Sequence, residues 1–390
     1  MKIIIGTDNY YPNVNGASYF SQRIAQYMQK RGHEVLVIAP GMSLWTKAIR
    51  VNEINVFGLS SFPIFIYKGF RWPLALFAKK DIETAVLNFS PDVIHIQDHF
   101  FIGGTLARFA KKNKIPVVGT NHFMPENLIH YLRLPKKVEK AVSKTGWRYF
   151  RMIYGELDMI TSPTHTAVKL LDQIGLNKKA VAVSCGIDLV RFNPNNDGTT
   201  IRAKYSLPKV PTVLYVGRLD KEKNVDVLLQ AFSLISQKID AHFVIAGKGA
   251  EKERLEELVK TLGISPKVTF TGFVEDGDLP NIYRVANCFI IGGIAELQSI
   301  VTMEAMASGL PVIAVDAMAL PELVIHGENG YLFKINEKEK LAEYILKILS
   351  NSSLQKEMSQ KSLELVQKHD IENSLSAYEK IYQNILAFHS

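Results

Sequence analysis

The chain has 390 residues, 47% hydrophobic, 22% charged and 10% aromatic, with a net charge of +8. That mixture is too apolar and too even for a disordered chain, and no stretch approaches the ~18 unbroken apolar residues of a spanning helix. Two cysteines, Cys185 and Cys288, exclude a disulfide framework and point to a reducing cytosol.

At roughly 150 residues per domain the length predicts two domains. The opening Met1-Lys2-Ile3-Ile4-Ile5-Gly6 reads as a strand, Lys2–Thr7, and not as a signal peptide, because Asp8 and Asn9 cut the apolar run. Asn15-Gly16 opens a helix whose apolar positions Phe20, Ile24, Tyr27 and Met28 recur every three or four residues. Arg31-Gly32-His33 closes it. Further strands are predicted at Glu34–Ala39, Val93–Gln97, Val117–Asn121 and Met159–Ser162. After the turn formers Phe192 to Gly198, the best linker candidate, the pattern restarts. Strands follow at Thr212–Val216, His242–Ala246, Lys267–Thr271, Cys288–Ile291, Pro311–Val315 and Tyr331–Phe333, then a terminal helix over Ile371–Ala387. Short β-branched runs alternating with helices specify α/β architecture with parallel sheets. Two doubly wound, Rossmann-like domains are expected, at 1–194 and 195–370, facing a cleft outside the carboxyl ends of their strands.

Charge is divided unevenly. Residues 1–195 carry 25 Lys/Arg against 13 Asp/Glu, a balance of +12, and the remainder 21 against 25, or −4. A basic first half points to an anionic partner: nucleic acid, a membrane surface or a charged substrate. Nucleic acid is disfavoured by the absence of zinc-finger spacing, a recognition-helix pattern or aromatic-basic interleaving.

Two segments can carry chemistry. Gly217-Arg218-Leu219-Asp220-Lys221-Glu222-Lys223-Asn224 follows the first strand of the second half and can aim two cations at a diphosphate; alone it reads more readily as a solvated charge run. In Glu296 to Ile313, two Glu lie eight apart, one before a helix start and one about two turns inside it. Eight residues are ~12 Å of helix, too far for a paired acid and base but suited to gripping an elongated ligand at both ends. The amides of Ser299 and Ile300 sit where a helix N-terminus holds phosphate.

Together these segments resemble the nucleotide-sugar glycosyltransferases of the GT-B fold, family 4. The resemblance spans essentially the whole chain. It includes the Gly16 loop, Gly32-His33-Glu34-Val35, Gly186-Ile187-Asp188, Ala246-Gly247-Lys248-Gly249, Gly272-Phe273-Val274, Glu304 to Ile313 and Glu328-Asn329-Gly330-Tyr331-Leu332-Phe333. It implies that Arg218 and Lys223 bind the donor diphosphate, Glu304 the ribose and Glu296 the transferred sugar. Gly16 would let backbone approach the diphosphate, Val274 would lie at the base, and His122 would line the reacting sugar. Asp98, His99 and Glu126 would border the acceptor. Four positions depart from the pattern: Asn224 and Ser299 replace Gly, and Gly292-Gly293 replaces Pro-Ser. Glu222-Lys223-Asn224, Glu296-Leu297-Gln298 and the block Asn121 to Tyr131 are similar to bacterial diacylglycerol glucosyltransferases.

Residues 133–151 hold seven Lys/Arg and one Glu. On a helix, Val138, Val142, Thr145, Tyr149 and Met152 share one face, with Trp147 near its boundary. Lys137, Lys140, Lys144, Arg148 and Arg151 form a separate stripe. That pattern suits either an anionic membrane interface or an ordinary helix packed on its sheet with a solvated basic face. Lys111, Lys112 and Lys114 would extend the basic patch. His95, Asp98 and His99 lack the further ligands a metal needs.

The expectation is therefore a cytoplasmic enzyme, peripheral on the inner face of the cell membrane, needing no metal or other cofactor. It would move glucose from UDP-glucose to diacylglycerol with retention, and the terminal helix 371–390 would pack back on the first domain. The alternatives are GDP-mannose or another donor with phosphatidylinositol or a soluble glycan as acceptor, an epimerase, and an inactive nucleotide-sugar-binding or membrane-scaffold protein.

Overall fold

The computed structural model describes residues 1–10, 16–64, 71–124, 135–176 and 178–389. The chain divides into two compact units, one of residues 1–185 and 374–390, the other of residues 186–373. The expected boundary at 194 is corrected. Ile187 and Phe192 are buried in the core of the second unit, and Asn193 and Asn196 close a hydrogen-bonded turn there. The turn formers thus fold with the second unit instead of separating two. From Ser374 onward the terminal helix Ile371–His389 belongs to the first unit.

In the first unit the strands are β1 (Lys2–Gly6), β2 (Glu34–Pro40), β3 (Lys47–Val51), β4 (Ile54–Leu59), β5 (Ser61–Pro63), β6 (Arg71–Pro73), β7 (Val93–Ile96), β8 (Val117–Thr120), β9 (Met159–Ser162) and β10 (Ala180–Ala182). Eight form one sheet in the order β10-β9-β8-β7-β1-β2-β4-β3, and β5 pairs with β6. The sheet is parallel except for the edge hairpin β3–β4. Its central strands read Ile-Ile-Ile and Val-Ile-His-Ile because both faces are buried. The sequence reading missed β3–β4. Its two-residue loop, Asn52-Glu53, has both residues at positive φ, the geometry of a tight hairpin turn in which Glu replaces the usual Gly.

The second unit has β11 (Thr212–Val216), β12 (His242–Ala246), β13 (Val268–Gly272), β14 (Cys288–Ile291), β15 (Val312–Val315) and β16 (Gly330–Phe333). They form a parallel sheet in the order β13-β12-β11-β14-β15-β16. In each sheet the winding reverses beside the first strand, between β1 and β7 and between β11 and β14. Segments leaving those strand ends are therefore neighbours in space though distant in sequence, at the place where such sheets bind ligands.

Candidate active site

In the second unit, β11 delivers Gly217 and Arg218 at its carboxyl end. A Cβ on Gly247 would fall 1.8 Å from the Gly217 carbonyl oxygen, so the loops after β11 and β12 touch because position 247 has no side chain. Leu219 N donates to Lys248 O (2.9 Å) and Glu251 N to Leu219 O (2.9 Å). The buried Tyr215 hydroxyl donates to Arg218 O at 2.7 Å. Burial, then the charge of Glu296, holds that phenol protonated. The guanidinium of Arg218 meets Asp220 and, at 3.0 Å, Glu222.

Lys221–Lys223 forms one 3-10 turn, closed by Asn224 in the left-handed region (φ 49°). Asn is the non-Gly residue that tolerates this conformation best, which answers one departure from the family pattern. Its Nδ2 donates to Gly292 O at 2.9 Å, joining the turn after β11 to the segment after β14. A Cβ on Gly292 would lie 2.9 Å from Lys223 O, and one on Gly293 2.5 Å from Glu296 Oε1. The Gly-Gly pair thus admits the turn and the Glu296 side chain together. Lys223 Nζ and Glu296 Oε1, 73 residues apart in sequence, lie 2.6 Å apart.

Ser299 caps the helix Ile300–Ala307, accepting from Thr302 N, with an ordinary extended φ of −99°. No glycine is required there, and its hydroxyl is engaged within its own helix. Glu304, inside that helix, is buried and accepts from the Tyr283 hydroxyl at 2.5 Å. Burial and the Glu304 charge raise the Tyr283 phenol well above its ordinary range. The sequence reading missed Tyr283, which no spacing rule connects to Glu304. Val274 is buried beside β13, whereas its neighbour Phe273 is exposed with Lys248 Nζ 5.5 Å from its ring centre.

In the first unit, His122 follows β8. Its Nε2 lies 3.0 Å from Gln97 Oε1 and its Nδ1 3.8 Å from Cys185 Sγ. Phe20 packs on the ring, and burial lowers its pKa to about 4. Burial raises the Cys185 thiol to about 12, so it stays protonated. Gln97 was not singled out as a site residue by sequence. Asp98 is buried and accepts from Asp8 N (2.7 Å), Thr7 Oγ1 and Phe100 N. Asp8 in turn accepts from Ile102 N (2.9 Å) at the start of the helix Phe101–Asn113. Burial, then the charge of Asp98, pushes the Asp8 carboxyl well up. His99 is buried among Phe100, Phe123, Phe150 and Tyr154, with a pKa lowered by burial to about 4.

Four buried polar atoms past the ends of β1, β7 and β8 have no hydrogen-bond partner among the described residues: Tyr10 Oη, Gln97 Nε2, His99 Nδ1 and Asn121 Nδ2. Such atoms are costly unless a ligand or water meets them. His95 is different: Tyr382 Oη and Thr120 Oγ1, each at 2.6 Å, occupy its two nitrogens, leaving neither for a metal. Gly16 opens the helix Gly16–Lys30; Glu126 lies outside the described residues.

The basic helix spans Lys136–Tyr154, with Lys137, Lys140, Lys144, Arg148 and Arg151 exposed. Its buried side is Trp147, Phe150, Ile153 and Tyr154. That corrects the reading of Trp147 as a boundary residue. Val138, Val142 and Met152 are exposed beside the basic stripe. Lys111, expected to extend that stripe, pairs with Glu156.

Two parallel sheets, the second with cations and carboxylates at its switch point, define a chain of the GT-B class. Sucrose-phosphate synthase from Thermosynechococcus elongatus shares this fold, with a TM-score of 0.83 at 21% identity, over 99% of this chain and all of that one. Family models for Glycosyltransferase Family 4 and for Glycosyl transferases group 1 match residues 14–191 and 197–364. The chain belongs to these glycosyltransferases. Its relatives include an alpha-monoglucosyldiacylglycerol synthase of Streptococcus pneumoniae, 27% identical over 85% of this chain and 75% of the relative. A GDP-mannose-dependent alpha-mannosyltransferase of Corynebacterium glutamicum is 26% identical over 89% of this chain and 81% of that one.

Proposed function

We propose that this glycosyltransferase moves glucose from UDP-glucose to the hydroxyl of a membrane lipid, diacylglycerol, with retention and without a metal. One observation carries the donor site: Lys223 and Glu296 in contact at 2.6 Å. In a nucleotide sugar the terminal phosphate is bonded directly to the sugar. A phosphate-binding cation and a carboxylate that accepts sugar hydroxyls must therefore be neighbours. Glu304, held by Tyr283, sits on the same short helix whose amides begin at Ile300 and is the ribose anchor.

The chemistry follows from charge. As the sugar–phosphate bond breaks, negative charge accumulates on the diphosphate, and Arg218 and Lys223 stabilise it from positions fixed beforehand by Asp220, Glu222 and Glu296. His122 is neutral, with Gln97 and Cys185 beside its two nitrogens, so it shapes the reacting face and is not the base. The acceptor proton passes to the leaving phosphate.

The acceptor assignment draws on the S. pneumoniae relative and on the exposed basic and apolar stripes of Lys136–Tyr154. Those stripes would hold the enzyme on the anionic inner face of the cell membrane. The polar atoms of Tyr10, Gln97, His99 and Asn121 would meet acceptor oxygens, with Asp98 beside them. The C. glutamicum relative favours a second reading, GDP-mannose as donor.

The test incubates purified protein with radiolabelled UDP-glucose or GDP-mannose and diacylglycerol in vesicles with and without anionic lipid. A glucolipid that forms without added metal and needs anionic vesicles supports the reading. A mannolipid instead overturns the donor, and no labelled lipid with either donor overturns the acceptor.

A further inference from the structure

Trp45 is 75% exposed, and Met42, Leu44, Phe62, Trp72 and Phe77 are exposed with it. None lies in the donor site, the acceptor cluster or the basic helix. They come from three segments of the first unit that are fastened together. Phe62 and Trp72 face each other across the β5–β6 pair. Ser61 N donates to Ser43 O at 3.0 Å, and the Arg71 guanidinium donates to Gly41 O (2.8 Å) and Ser61 O (2.7 Å). Thr46 Oγ1 donates to Asp81 Oδ2 at 2.5 Å, tying the same loop to the helix Ala75–Phe89, which carries Phe77. Trp45 N donates to Ser43 Oγ at 3.2 Å, and Ser43 Oγ to Trp45 O at 2.6 Å, which fixes the backbone that presents the indole. The apolar side chains thus stand on a bonded platform.

A cluster of large apolar side chains held in water by built structure marks an interaction surface, and two Trp among six favour a boundary between water and lipid. The charges around it select the occupant. Lys47, Arg50, Lys79 and Lys80 are exposed on these segments against Glu53. A second copy docking by two-fold symmetry would set those cations against themselves, whereas an anionic bilayer complements them. We propose that this platform is a second membrane-docking surface, in which Trp45 and its neighbours enter the interface while the flanking Lys and Arg meet anionic headgroups. The inference rests on the lipid-acceptor reading only for choosing a bilayer over a protein.

The test uses the full chain and phosphatidylcholine vesicles, with or without phosphatidylglycerol, whose acyl chains are brominated. Trp147 is buried, so quenching of Trp fluorescence reports chiefly Trp45 and Trp72. The expected result is quenching on anionic vesicles that diminishes in Trp45→Phe. Flotation binding should fall about tenfold or more in Leu44→Ser/Trp45→Ser, two exposed changes whose folding is checked by circular dichroism. Flotation with unquenched Trp overturns the proposal, as does a lipid-free dimer that becomes a monomer in the double variant. Transfer is assayed separately on diacylglycerol in detergent micelles. Quenching without transfer leaves the platform standing and removes the acceptor; transfer without quenching does the reverse.

Discussion

His122 Nε2 lies 3.0 Å from Gln97 Oε1, while Nδ1 of the same ring faces the protonated Cys185 thiol at 3.8 Å. The arrangement places the proton on Nε2 and leaves Nδ1 as an acceptor. Because the ring's pKa is about 4, wild-type transfer should show no His122 titration between about pH 5.5 and 8. Gln97→Glu sets a carboxylate against Nε2 and favours imidazolium, raising that pKa. A new acidic limb should then appear in the pH profile of kcat, with activity falling as pH drops through the raised value. Gln97→Leu should lower kcat without adding the limb. Identical profiles in Gln97→Glu and wild type would remove Gln97 as the residue positioning His122.

The donor site predicts a split between charge and anchoring. Arg218→Ala and Lys223→Ala should each cost roughly 10²–10³ in kcat, the scale of losing one preorganised stabiliser of developing negative charge. Glu328→Ala, at an exposed carboxylate, should be close to wild type. Tyr283→Phe removes one hydrogen bond to buried Glu304 and should raise donor KM about five- to tenfold with kcat nearly unchanged. Steady-state kinetics with varied donor separates these effects.

Gly292 and Asn224 act as a matched pair. Gly292→Ala places a Cβ 2.9 Å from Lys223 O and 3.4 Å from Asn224 Cβ, so it should displace the Lys223 turn and reduce donor affinity measured by calorimetry. Asn224→Gly keeps the left-handed turn and loses the 2.9 Å bond to Gly292 O, costing about 0.5–1.5 kcal/mol. Asn224→Val, with a β-branched side chain at φ 49°, should be worse than either.

His99 predicts acid sensitivity in the first unit. Its folded pKa of about 4 lies below the unfolded value of ~6.5, so between these limits the unfolded chain binds more protons. The neutral ring's contribution is complete above about pH 6.5 and is lost as pH falls towards 4, by up to about 3 kcal/mol. Asp8, whose folded pKa is raised, runs the opposite way and is unchanged by substitution at 99. His99→Phe retains the aromatic packing and removes the unpartnered Nδ1, so its Tm should exceed that of wild type at pH 5 by more than at pH 7.5. Equal differences at both pH values would show that His99 does not titrate on unfolding.

Much of the molecule was legible in order. The runs Ile3-Ile4-Ile5, Phe243-Val244-Ile245 and Val312-Ile313-Ala314 are continuous because buried parallel strands have two apolar faces. Arg218, Lys223 and Glu296 could be named because each stands near a strand end or helix start that the pattern itself marks, and Glu304 because it follows Glu296 by eight residues inside the next helix. The helix Lys136–Tyr154 was found from its charges, yet which of its sides is covered stayed open. Val138 and Met152 are as apolar as Phe150 and Ile153, and only the neighbouring elements decide which stripe is covered.

Sequence by itself determined the α/β grammar and the chemical types assembled at the switch points, since both are local properties of composition and spacing. Tertiary structure alone decided that Lys223 meets Glu296 across 73 residues, that Tyr283 holds Glu304 and Gln97 holds His122, and that Trp45 stands exposed on a bonded platform. Those relationships depend on which strands lie side by side, and strand order is set by the packing of a whole unit, which no window of sequence contains.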